Sequence, residues 1–259
     1  MHPIERLRAV ARAQGVDQRL LAGEAAVVLG TLADDPLGLV TSCRRLLDRQ
    51  PGAGALWWAC ARLLDAADAR AEARAIRHDL DDDALLHTLA LDLPERASVV
   101  VIPDPVGGSA LVDGLASRRD DLVPVEAADP AIDVAAVIEA GAGLGDLTGG
   151  APGELVDVDV SRGSGVPGTG PTLVVVEAGA AGPSGFLTVA GAAEGVAAAR
   201  AAGVPVWAVV GVGVRLPGPL FEAAARRAAT CEVLPGGAVE RVVEPRSLAC
   251  PCPAELLGT

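Results

Sequence analysis

Lysine, tyrosine and asparagine are missing from all 259 residues, and aromatic side chains make up only 2% of the chain. Without lysine there is no Schiff-base nucleophile and no P-loop lysine, and without tyrosine there is no phenolic acid. Every one of the 21 cations is therefore arginine, set against 34 acidic residues for a net charge of −13. That acidic excess works against a nucleic-acid groove, which needs clustered cations on the phosphates. No apolar run reaches the length of about 18 residues that a membrane span requires, because Glu194, Arg200 and Gly203 interrupt the Ala/Val stretches. Met1 to Arg12 mixes arginines and Glu5 with apolar positions and lacks a continuous signal core. Neither nucleic acid nor a membrane is an expected partner, and a cytoplasmic location is expected.

Histidine is almost as scarce. His2, His78 and His87 all lie in the N-terminal third, out of register with Cys43, Cys60, Cys231, Cys250 and Cys252 for a zinc site. No metal and no cofactor is expected. An odd number of cysteines without an export signal reads as reduced, small apolar residues rather than a disulfide framework. A Ser/His/Asp set has no support from this inventory. Ser161-Arg162-Gly163-Ser164-Gly165 approaches a nucleophile elbow but falls in a Gly/Pro-rich stretch.

What is present is patterned in two ways. Residues 1–93 read as helices: Ile4, Leu7, Val10 and Ala11 recur at helical spacing, and Asp17 caps a segment running to about Leu32. Asp34-Asp35-Pro36 opens a helix to Arg49, Pro51-Gly52 breaks the chain, a helix carries Leu56 to Leu64, and Asp68 starts another to Leu80. Asp81-Asp82-Asp83 reads as a solvated turn feeding the next helix. After Pro94 the pattern changes. Ser98 to Ile102, Thr172 to Val176 and Val204 to Val210 are continuous apolar runs of the kind a sheet covered on both faces requires. Leu122 to Val125 reads as a short strand, and Val156, Val158 and Val160 alternate with acids as a half-exposed one. Helices are expected from Gly108 to Ser117, Ala131 to Ala140 and Gly191 to Ala202. The fold class is thus α/β: a helical N-terminal domain (1–93) and a Rossmann-like parallel-sheet domain (94–259).

Open parallel sheets bind ligands beyond the carboxyl ends of their strands. Pro103 to Ser109 contains Asp104 and the pair Gly107-Gly108, which either cradles an anion at a helix N-terminus or forms a plain turn with Ser109 as cap. Glu177 ends a strand and opens a Gly-rich loop that includes Gly185. It reads either as a base or ribose acceptor or as the group that fixes the turn. Arg215, after the next strand, is a phosphate clamp or a surface residue. Arg162 to Gly170 is a lid or a loop.

Three stretches resemble one superfamily, the methylthioribose-1-phosphate isomerases together with the alpha/beta/delta-type subunits of translation initiation factor 2B. Pro51 to Ala59, with Leu56 and Trp58, resembles the isomerases' Pro-Thr-Ala-Val-Asn-Leu-x-Trp-Ala run. Gly191 through Trp207 resembles their helix-then-strand segment without gaps, and Cys250 to Leu257 resembles their closing Asp-x-Thr-Pro-x-Glu-Leu-Ile. The resemblance implies a Rossmann-like domain of the NagB/RpiA/CoA-transferase type and a divergent bacterial member, given the high-GC composition. It also implies a homodimer formed through the C-terminal domain, and Cys250 and Cys252 in a docking tail.

Residue by residue, the same resemblance argues against the family's reaction. The acid/base aspartate falls on Gly185, the neighbouring Asn-Lys pair on Thr188 and Val189, the asparagine of the tryptophan motif on Ala55, and the arginine before the proline on Gln50. Where a nucleophilic cysteine belongs, this chain has Gly107-Gly108-Ser109. Proton transfer by a positioned acid or base contributes roughly 10²–10⁴-fold, so losing these groups removes the reaction. The expectation is a non-catalytic protein that binds a phosphorylated small molecule (a sugar phosphate or nucleotide) or a protein partner, with Gly107, Gly108, Ser109, Glu177, Gly185 and Arg215 as binding residues. The alternatives are an aldose-ketose isomerase with relocated groups, Glu177, Asp104 and Ser109, and an assembly module for a larger complex.

Overall fold

The structure, a computed structural model, describes residues 3–81, 84–107, 110–145, 172–244 and 247–257. Six helices come first: α1 (Pro3–Arg12), α2 (Gln18–Leu29), α3 (Pro36–Arg49), α4 (Gly54–Asp65), α5 (Ala69–Leu80) and α6 (Ala84–Asp92). Their starts are set locally. Asp17 accepts the Arg19 N–H, Asp35 the Gly38 N–H, and Asp68 the N–H groups of Arg70 and Ala71, each meeting an orphan donor of its first turn. Pro36 occupies the first turn of α3, where its missing N–H is no loss.

α4 is the pillar of the helical part. Leu56, Trp57, Trp58 and Cys60 have no exposed surface, so both indoles need partners inside the protein. Trp57 donates to the Pro51 carbonyl at 3.0 Å and Trp58 to the Ala249 carbonyl at 3.1 Å. Arg62 lies over Trp58 and Arg227 over Trp57, at 4.6 and 5.0 Å from the ring centroids. The tail that Trp58 grips is held further by Arg44, which donates to the Glu255 carbonyl at 2.7 Å. Cys250 packs against this core, and burial pushes its thiol up to about 12. Cys250 therefore stands in a docked tail, while Cys252 is exposed.

The sheet follows: β1 (Ser98–Ile102), α7 (Leu111–Arg118), β2 (Val123–Glu126), α8 (Pro130–Gly145), β3 (Thr172–Glu177), β4 (Ala180–Gly182), β5 (Gly185–Val189), α9 (Ala192–Ala201), β6 (Val206–Val209), α10 (Gly218–Arg227), β7 (Cys231–Leu234) and β8 (Arg241–Val243). Five strands form a parallel sheet in the order β2-β1-β3-β6-β8. Alternate residues of β1 and β3 serve opposite faces. Val100, Ile102, Val174 and Val176 join α8, α9 and the N-terminal helices in one core, while Val99, Val101, Leu173 and Val175 pack with α6 and α7 in another. The fold is a helical N-terminal region followed by a Rossmann-like parallel-sheet domain.

A second, antiparallel sheet, β4-β5-β7, was not anticipated. It grows from the segment expected to be a loop after Glu177, through the turn Gly182-Pro183-Ser184-Gly185. It is tied to the loop after β6 by Ala181 N–H to the Val214 carbonyl at 2.9 Å and Leu216 N–H to the Ala181 carbonyl at 2.8 Å. The strand expected at 156–160 and the stretch Arg162 to Gly170 lie outside the described residues. No helix among the described residues is long and apolar enough to cross a membrane.

Candidate functional site

The carboxyl ends of β1, β3 and β6 bring the loops 103–107, 178–179 and 210–215 to one edge of the sheet. Asp104 is at the centre of this edge and only 2% exposed. Its Oδ1 accepts the backbone N–H groups of Val106 and Gly107, at 2.8 and 3.1 Å, and its Oδ2 accepts Gln18 Nε2 at 2.9 Å. Gln18, on the first turn of α2, also donates from Nε2 to the Ala178 carbonyl at 3.2 Å and accepts the Ala55 N–H on Oε1 at 3.2 Å. One buried glutamine thus joins α2, the start of α4, the β1 loop and the β3 loop. Nothing in the spacing of apolar residues marks this position, and sequence reasoning missed it.

Burial pushes the Asp104 carboxyl up to about 6; the N–H groups of Val106 and Gly107 work the other way, Asp17 adds to the rise, and Gln18 opposes it. A carboxyl poised near neutrality suits proton transfer, so its surroundings decide its role. The space beside it, lined by Asp17, Gln18, Arg19, Leu85, Asp104 and Glu177 among others, measures about 30 Å³. That holds a water or two, at roughly 10–15 Å³ each, and not a sugar phosphate. Asp17 and Arg19 close one side as an ion pair at 2.9 Å. Asp104 thus ties its own loop to α2 and, through Gln18, to the β3 loop and the start of α4.

The other expected site residues scatter. Glu177 ends β3, half-buried, and lines the same small space as Asp104. Gly107 sits at φ +80° with its N–H on Asp104. Gly108 and Ser109 lie outside the described residues. Arg215 is held by Glu244 through Nε at 2.8 and 2.9 Å and Nη2 at 2.5 Å, so an anion would have to displace a carboxylate. Gly185 starts β5 at φ +143°, and a Cβ there would stand 2.1 Å from the Leu234 carbonyl oxygen. Thr188 is buried in β5 with its hydroxyl on the Glu232 carbonyl at 3.3 Å.

On the other side of the 103–107 loop is a larger depression of about 740 Å³, lined by Arg12, Arg49, Gln50, Pro105, Thr230 and Cys231 among others. Pro105 forms its wall by wedging against Gly179, where a Cβ would come within 2.5 Å of the proline ring. Gln50 donates to the Ala13 carbonyl at 2.6 Å, capping the chain as it leaves α1. Arg12 and Arg49 are exposed and make no ion pair among the described residues. No carboxylate among the described residues lines this depression. Burial pushes the half-buried Cys231 thiol up, the Thr230 side chain opposes this, and Asp104 adds to the rise, so the thiolate needed for attack is disfavoured. The arrangement can hold an anion but brings no acid or base to it. No group of three or more His, Cys, Asp or Glu side chains that could hold a metal occurs among the described residues.

The fold, a helical N-terminal region followed by a Rossmann-like parallel-sheet domain, is shared with solved proteins. The tetrameric eIF2B-beta2-delta2 complex from C. thermophilum matches at 18% identity over 94% of this chain and 88% of that one, with a TM-score of 0.57. The Pyrococcus horikoshii OT3 translation initiation factor eIF-2B matches at 10% identity over 94% of each chain, TM-score 0.62. The 5-methylthioribose 1-phosphate isomerase from the same source matches at 15% identity over 96% of this chain and 84% of that one, TM-score 0.55. No family model and no curated protein matches the sequence. At these identities the likeness establishes a common fold, which the initiation-factor and isomerase proteins share with this chain, and leaves the chemistry to its residues.

Proposed function

We propose that this chain is a non-catalytic, divergent relative of the initiation-factor 2B subunits and methylthioribose-1-phosphate isomerases, acting through protein contacts rather than by turning over a sugar phosphate. The observation that supports this reading is the narrow strand-end edge among the described residues: Asp104 is committed to Gln18, Val106 and Gly107 beside a space of about 30 Å³. A homodimer through residues 94–259, which rests on the resemblance, belongs to the same reading, as do a division from the helical domain at 93, from the change of pattern after Pro94, and a cytoplasmic location, from the absence of a signal core in Met1 to Arg12.

The exposed Arg12 and Arg49 favour a second reading, in which a phosphorylated small molecule is held in the larger depression without being converted. Isothermal titration against a panel of sugar phosphates and nucleotides tests both. The expected outcome is no turnover, with any binding heat abolished by Arg12→Ala or Arg49→Ala and unchanged by Glu177→Gln. Binding of an aldose 1-phosphate that Glu177→Gln removes would instead establish the strand-end edge as a working site and overturn the proposal.

A further inference from the structure

A groove of about 850 Å³ runs between α1 and α3 on the helical part. It shares no lining residue with the strand-end space beside Asp104. Leu7, Ala11 and Leu32 give it an apolar floor, and Arg8, Arg45 and Arg49 stand along it. Arg45 and Arg49 are one helical turn apart on α3, so that helix presents a basic row along the groove, and Arg8 faces it from α1. Arg45 and Arg49 are exposed and make no ion pair among the described residues; Arg8 is paired only with the exposed Glu5.

Two carboxylates also line the groove: Asp35, which accepts the Gly38 N–H at 2.9 Å, and Asp48, which faces Arg227 at 3.8 Å. On a chain of net charge −13 the lining sets Arg8, Arg45 and Arg49 against these two carboxylates, over an apolar floor.

We infer that the α1–α3 groove is a docking site for an acidic amphipathic helix of a protein partner. Two helices with an apolar floor between them accept a third helix by its apolar face. Arg45 and Arg49 on one side and Arg8 on the other favour glutamate and aspartate on its flanks over lysine or arginine. Nucleic acid fits less well, because phosphate gains nothing from an apolar floor and meets the acidic remainder of the chain. The inference names a partner for the protein-contact reading above, yet the two fail separately, since one concerns α1 and α3 and the other the strand ends.

The test is fluorescence anisotropy with a labelled synthetic helix of about five turns, leucines at i, i+3, i+4 and i+7 and glutamates elsewhere. Controls are a peptide of the same composition with scrambled spacing and one with lysine in place of glutamate. The full chain is expected to bind the acidic amphipathic helix alone, more weakly as salt rises. Reversing both Arg8→Glu and Arg45→Glu is expected to weaken binding about tenfold or more, roughly 1.4 kcal/mol. Ser42→Trp, which fills the groove without changing charge, gives the same loss, and circular dichroism verifies that each variant is folded.

No binding at millimolar peptide, equal binding of either control, or indifference to both variants overturns the inference. Single-stranded RNA competing as well as the acidic helix overturns it in favour of a general polyanion site. A dimer in sedimentation that the double reversal dissociates overturns it in favour of a second copy of this chain.

Discussion

Replacing Gly185 by aspartate is expected to destabilise the protein by about 3 kcal/mol or more, measured by urea unfolding. Gly185 has φ +143°, a backbone that residues bearing a Cβ rarely adopt, and the new Cβ would meet the Leu234 carbonyl oxygen at 2.1 Å. The obstacle is backbone of a paired strand, since Phe186 and Leu234 are partners in the β5–β7 ladder, so it yields only by disturbing that sheet. Ser184→Asp, one residue earlier at the exposed tip of the same turn, is expected to change stability by less than about 0.5 kcal/mol. The comparison matters for function because the resemblance places the isomerases' acid/base aspartate on position 185. With this strain an aspartate at 185 cannot be introduced by one substitution without disturbing the β5–β7 pairing. A Gly185→Asp protein as stable as the parent would contradict this.

The second large effect is a pH dependence. The Asp104 carboxyl is raised from 3.8 to about 6 in the folded protein, chiefly by burial. A raised carboxyl holds its proton more tightly folded than unfolded, so its contribution to stability is greatest below about pH 4 and is lost as pH rises through about 6. At roughly 1.4 kcal/mol for each unit, the loss approaches about 3 kcal/mol by neutral pH. Other carboxyls push the opposite way: Asp121, bound by Arg119, is held well below its usual range. The comparison must therefore be against Asp104→Asn, which lacks the titration. The amide of that variant faces Gln18 Nε2 with a donor, a fixed cost that cancels across pH. Wild type is expected to lose up to about 3 kcal/mol relative to the variant between pH 4 and 8; a constant difference would show that Asp104 titrates at its ordinary value.

The parts of the fold that could be read from the residues are those where local chemistry and burial agree. β1 was legible because Val99 and Val101 meet one helical layer and Val100 and Ile102 the other, leaving no polar face to interrupt the run. α3 was legible because Asp35 and Pro36 mark its first turn, and α9 and β6 fall within the segment anticipated from Gly191 to Val210. The helix expected from Gly108 instead begins at Leu111.

The small sheet was not legible, because Ala180–Gly182 and Gly185–Val189 are short and carry Gly182, Gly185 and Thr188 around a Pro183-Ser184 turn, the composition of a loop. Their pairing is completed by Cys231–Leu234, more than forty residues on. α10 and β8 passed unnoticed for a related reason: each is short and takes its place from packing rather than from a pattern.

At the site, Asp104 and Glu177 were found because strand ends are predictable, and they do line one small space. The groups that decide what that space can do were not. Gln18 lies far off in sequence, and Glu244, which holds Arg215, follows the edge strand β8. Neither residue type is diagnostic until the chain is folded. Arg12, Arg49 and Cys231 meet around the larger depression for the same reason, from three elements with no shared motif.

The most direct measurement of whether proton-moving chemistry survives is solvent exchange. Incubating the protein with a panel of aldose 1-phosphates, methylthioribose 1-phosphate included, in deuterium oxide and following the sugar carbons by NMR reports any proton abstraction, even without net conversion. The account predicts no deuterium uptake above a protein-free blank. Uptake that requires the protein and disappears in Asp104→Asn or Glu177→Gln would contradict it and establish a catalyst at the strand ends.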